Sequence, residues 1–79
     1  MLTKKQLVVL KGIDDLIKEN KYSPTVREIG EKVGLKSSSS VHTYIKKLEE
    51  KGCLSKVEAS GRSLVITERG QMALKLINN

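Results

Sequence analysis

Gly34-Leu35-Lys36-Ser37-Ser38-Ser39-Ser40-Val41-His42-Thr43-Tyr44-Ile45-Lys46-Lys47-Leu48-Glu49-Glu50-Lys51-Gly52 is bounded by two glycines, and its reading decides the fold. Four consecutive serines in isolation describe a flexible linker. Here they run directly into Val41, Ile45 and Leu48, apolar residues at i, i+4 and i+7, which is the spacing of one helical face. Serine is also a favoured N-cap, so the run predicts the opening of a helix over about 38–51. Gly52 supplies its left-handed stop, and Gly34 does the same for the helix before it. With Val41, Ile45 and Leu48 turned to a core, Ser39, His42, Thr43 and Lys46 must face outward. That outward face carries hydroxyls, an imidazole and an ammonium, with no acidic residue before Glu49.

Working upstream, Thr25-Val26-Arg27-Glu28 after Pro24 reads as a capping box. Val26, Ile29 and Val33 form the apolar stripe of a short helix ending at Gly34. A second box, Thr3 with Gln6, opens a first helix whose Val9, Leu10, Ile13, Leu16 and Ile17 share one face. Lys11, Asp14, Asp15 and Lys18 take the opposite, solvated side, and the helix stops near Asn20. Gly12 inside it costs about 1 kcal/mol relative to alanine, which packing must offset. Downstream the period changes. Cys53–Val57 and Ser63–Ile66 are short β-prone segments around Glu58-Ala59-Ser60-Gly61-Arg62, a hairpin with its turn at Gly61. Thr67-Glu68-Arg69-Gly70 then caps a last helix with Met72, Ala73, Leu76 and Ile77 as its apolar stripe. The fold class expected is mainly α with a small β-hairpin. Its architecture is a winged helix-turn-helix, a three-helix core with a wing and a C-terminal helix, in one domain over 1–79.

The chain has 79 residues and a net charge of +6. That size gives room for one core and one binding surface, and the charge favours an anionic partner, nucleic acid before a membrane. No apolar run approaches the ~20 residues of a bilayer span, and the N-terminus lacks a signal-peptide stretch. A cytoplasmic protein is expected, in keeping with one cysteine, Cys53, which reads as a small core residue. A zinc site needs about four ligands, against one His and one Cys here, so His42 reads as an exposed side chain and no metal or cofactor is expected. The acid pairs Asp14-Asp15 and Glu49-Glu50 are sequence neighbours, about 100° apart on a helix, and do not converge. With no phosphate loop or nucleophile–base pairing, no enzyme is expected. Arg27 stands in the first turn of its helix, a poor place for a cation. Either a phosphate contact or a bridge to Glu31 accounts for it. Arg62 at the hairpin tip reads as a backbone contact to DNA.

Residues from about Leu2 to Ile66 resemble the DNA-binding domain of the LexA family. The resemblance rests on Leu2-Thr3 with Gln6, on Pro24-Thr25-Val26-Arg27-Glu28-Ile29-Gly30, on Val33-Gly34-Leu35-Lys36-Ser37-Ser38-Ser39-Ser40-Val41-His42, and on Lys46-Lys47-Leu48-Glu49-Glu50-Lys51-Gly52. It implies that the helix over 38–51 is a recognition helix in the major groove of double-stranded DNA, with Ser38, Ser39, Ser40, His42 and Thr43 at base edges. It also implies a wing over 58–62 whose Ser60-Gly61-Arg62 tip lies on the backbone, and a transcriptional regulator acting as a repressor. Two departures stand out. The chain ends before the serine–lysine protease domain of full-length LexA proteins, so self-cleavage is not expected, and 67–78 forms an extra helix instead. Tyr44 stands where the family usually has a smaller or aliphatic residue. With that second domain missing, a homodimer is expected through Met72, Ala73, Leu76 and Ile77, with Leu7 and Val8 as a further patch, unless the last helix completes the monomer's core. The alternatives from other classes are a winged-helix protein-interaction module and a nonspecific DNA-binding accessory protein.

Overall fold

The computed structural model describes residues 2–20, 23–57 and 63–77. Its elements are α1 (Lys4–Asn20), α2 (Val26–Val33), α3 (Ser38–Glu50), β1 (Leu54–Val57), β2 (Ser63–Ile66) and α4 (Glu68–Ile77). The strands pair antiparallel, with Leu54 opposite Ile66 and Val57 opposite Ser63. Three helices, a hairpin and a fourth helix in this order make a winged helix-turn-helix. The hairpin turn, 58–62, lies outside the described residues.

Both capping boxes form. Thr3 Oγ1 accepts from Gln6 N at 3.1 Å while Gln6 Oε1 accepts from Thr3 N at 3.0 Å. Thr25 and Glu28 repeat the exchange at 3.1 and 2.9 Å. Gln6 is buried, and its Oε1 also accepts from Lys51 Nζ at 2.9 Å. The cap of α1 is thereby joined to the end of α3. Gly34 and Gly52 adopt φ of +76°, a left-handed conformation that costs other residues energy. Gly34 ends α2, its amide donating to Gly30 O.

The core gathers Val9, Leu10 and Ile13 from α1, Ile29 from α2, Val41, Ile45 and Leu48 from α3, and Leu54 from the hairpin, with Cys53 buried among them. Gly12 is buried because α2 passes close by: a Cβ there would meet Val33 Cγ1. The helix cost of that glycine is thus offset by tight helix–helix packing.

One expectation needs correction, and one alternative left open by the sequence is narrowed. Asp14 does not share the solvated face of α1; it is 4% exposed and bridged to Lys18 at 2.9 Å. In α4 the inward residues are Gly70, Leu74 and, in part, Ala73, whereas Met72 and Leu76 are 63% and 78% exposed. The Ile77 side chain lies outside the described residues. The reason is local. Thr67 anchors the start of α4 by donating from its amide to Cys53 O at 3.1 Å and from its hydroxyl to Gly52 O at 2.6 Å. Gly70, one turn later, is pressed onto the Cys53 carbonyl. A helix held at Gly70 must turn position 74 inward and position 72 outward.

Candidate nucleic-acid interface

The helix-turn-helix unit is set by how closely α2 approaches the turn. Gly30 O accepts from Leu35 N at 2.8 Å, and a Cβ on Gly30 would stand 2.8 Å from Leu35 O. This contact brings the N-terminus of α3 beside α2. Between them lies an open groove of about 710 Å³, with Val26, Arg27 and Glu31 on one wall and Lys36, Ser38 and His42 on the other.

Of the residues singled out by sequence, Arg27, Ser38 and His42 line this groove, whereas Ser39, Ser40 and Thr43 line a separate one with Gln6, Tyr44 and Lys47. Ser38, Ser39, His42, Thr43 and Lys46 are exposed and Ser40 is half-buried. Ser37 is the N-cap of α3 by backbone conformation, but its hydroxyl makes no capping bond. Among the described residues the Ser38 and Ser39 side chains have no hydrogen-bond partner, leaving them free for an external one. Thr43 Oγ1 instead donates to Ser39 O at 2.9 Å, which fixes its rotamer and leaves its oxygen able to accept. Lys46 forms no ion pair among the described residues. His42 lines both the α2–α3 groove and a second one, of about 250 Å³, formed with Ser23, Pro24, Lys56 and Leu64. Arg27 bridges Glu31 at 3.4 Å, yet the two side chains are 90% and 73% exposed, and such a pair is weakly held. Arg62 lies outside the described residues.

Three residues of this surface escaped the sequence reading. Lys36, exposed in the turn, adds a cation without an ion pair among the described residues. Ser23 Oγ accepts from Leu64 N at 2.9 Å, fastening β2 to the loop before α2. Lys56 on β1 reaches Glu49 at 3.6 Å, occupying the first acid on α3. Lys36 was legible as a lysine preceding the serine run; Ser23 and Lys56 depend on contacts with no sequence signature. Tyr44 is half-buried and packs against the core, and it shares its groove with Ser39, Ser40 and Thr43 rather than with His42.

Among the described residues no three His, Cys, Asp or Glu side chains gather as a metal site. No described helix is long and apolar enough to cross a membrane.

Known proteins share this arrangement. The family model for the LexA DNA binding domain matches residues 1–63. The LexA repressor of Pelotomaculum thermopropionicum is 49% identical over 67 residues, covering 85% of this chain and 33% of its own. That of Oenococcus oeni is 49% identical over 74 residues, 94% of this chain and 35% of its own. The chain thus spans about a third of the length of the curated relatives it matches. In structure it is similar to the Rio2 kinase of Chaetomium thermophilum in its ADP/Mg2+-phosphoaspartate complex, with a TM-score of 0.76 and 28% identity over 98% of this chain and 23% of that one. It is similar also to Bordetella bronchiseptica BpsR, a protein whose DNA binding is regulated by 6-hydroxynicotinic acid. There the TM-score is 0.74 at 17% identity, over 98% of this chain and 53% of that one, a likeness of fold alone. With its capping boxes, glycine-terminated turn and serine-led third helix in place, the chain belongs to the family of LexA DNA-binding domains.

Proposed function

We propose that this chain binds double-stranded DNA in a sequence-specific manner, as a repressor-type regulator without enzymatic activity, and that residues 1–79 act as one DNA-binding domain. The observation that carries the proposal is the outward face of α3, where exposed hydroxyls, His42 and Lys46 stand together with no acid among them. A major groove is wide enough to admit such a helix. Ser38, Ser39, Ser40, His42 and Thr43 then reach base edges. Lys46, Arg27 and the wing residue Arg62 engage phosphates, which set register and carry no sequence information. Specific binding by one small module uses limited surface, so two copies on a two-part site are the expected working form.

The test is selection of bound duplexes from a random pool, followed by titration of the winning site against scrambled DNA across salt. A preference of roughly 10³-fold or more is expected, with affinity falling as salt rises. His42→Ala or Ser39→Ala changes the preferred bases at a cost of about 1–3 kcal/mol on the best site, while Arg62→Ala weakens all sequences alike. Equal binding to every duplex refutes specific reading.

A further inference from the structure

On the side of the fold formed by α1 and α4, Leu2, Leu7, Cys53, Ala73 and Leu76 line an open groove of about 350 Å³, with Arg69 at its edge. None of these residues lines the grooves around His42, so both surfaces can be occupied together. Next to it, α4 turns outward a face that its own fold does not cover. At 100° per residue, Glu68, Met72, Lys75 and Leu76 fall within roughly one quarter to one third of the helix circumference. All four are exposed. Met72 and Leu76 place two large apolar side chains in water on a helix only ten residues long, and an apolar patch rimmed by charge marks an interaction surface.

The charges identify the occupant. Glu68 lies in the first turn of α4 and Lys75 in the last, seven residues apart on that same face. Neither forms an ion pair among the described residues. A face that reads acid, apolar, base along the helix is complementary to its own antiparallel copy. A two-fold axis near Met72 brings Glu68 of each chain to Lys75 of the other. The helix dipoles of such a pair run in opposite senses, which is favourable. We infer that α4 is an isologous homodimer interface, with the α4 helices antiparallel, Met72 and Leu76 of each copy seated over the α1–α4 groove of the other, and two Glu68–Lys75 pairs fixing the register. This deepens the reading that two copies act together on DNA, and it is tested without DNA, so either can fail alone.

The experiment is sedimentation equilibrium of the 79-residue chain at low salt, with circular dichroism as a check on folding. The wild type is expected to dimerise by about 100 µM, as fits a small interface. Leu76→Asp is expected to remain a folded monomer. Glu68→Lys and Lys75→Glu are each expected to weaken the dimer about tenfold, since each sets like charges face to face twice. Because the pairing is reciprocal, mixing these two single variants creates two Lys–Glu contacts and restores association, as does the double variant Glu68→Lys/Lys75→Glu. A purely structural role for either residue within one chain would not produce rescue by mixing. A wild type that stays monomeric to about 1 mM overturns the inference. So does a dimer that neither charge reversal weakens, or single variants whose mixture associates no better than either alone.

Discussion

Gly30→Ala is the substitution in which two physical effects of known sign compete most directly. Alanine gains about 1 kcal/mol over glycine in a helix interior, and Gly30 is inside α2. Against this, the new Cβ would sit 2.8 Å from Leu35 O and 3.4 Å from Val41 Cγ2. The first neighbour is backbone and cannot rotate aside. Moving it disturbs the turn in which Gly30 O accepts from both Gly34 N and Leu35 N. Overpacking of this kind costs about 1–3 kcal/mol; the middle of that range less the helix gain leaves a net loss of about 1 kcal/mol. For a chain of this size that lowers Tm by roughly 4–8 °C. Urea denaturation with an unchanged m-value is the assay. Gly34→Ala is the control: nothing lies within 4 Å of its Cβ, so its cost of about 1 kcal/mol comes from the left-handed φ of +76° alone. A Gly30→Ala protein as stable as the wild type, or more so, would show that helix propensity wins and that the α2–turn contact does not set the geometry of the unit.

Thr25→Ala removes one half of the α2 capping box, the Glu28 amide's acceptor at 3.1 Å, and is expected to cost about 1 kcal/mol by chemical denaturation. Leu10→Ala empties a fully buried position and is expected to cost about 2–5 kcal/mol, enough to leave the chain largely unfolded at 37 °C; calorimetry checks it. Lys46→Ala leaves the fold intact and reduces the slope of log affinity against log salt by about 1 on any duplex, measured by fluorescence anisotropy.

What the sequence made legible follows from where the information lies. Caps, left-handed glycines and apolar periodicity act within a few residues, so Thr3, Thr25, Gly34 and Gly52 and the inward set of α3 announce their roles locally. The outward face of α3 was legible by the same logic, because fixing Val41, Ile45 and Leu48 leaves the remaining positions no other direction. The rest depends on packing that the sequence does not show. Asp14 looks solvated because the sequence shows its charge but not what packs around it; in the fold the residue is 4% exposed, although its ion-pair partner Lys18 is a local one, four positions on. The sequence leaves the rotation of α4 open between a dimer surface and a core face, because Met72 and Leu76 carry more apolar surface than Gly70, and periodicity weighs side chains. Gly70 faces inward for what it lacks: only a residue without Cβ lies against the Cys53 carbonyl, seventeen positions earlier in the chain. That outward stripe bears on the proposed dimer. Had Met72 and Leu76 closed the monomer's core, α4 would present polar residues to solvent. With Gly70 and Leu74 inward, the helix instead carries its apolar residues outside, between an acid at one end and a base at the other, which is the arrangement the proposed pairing with a second copy rests on.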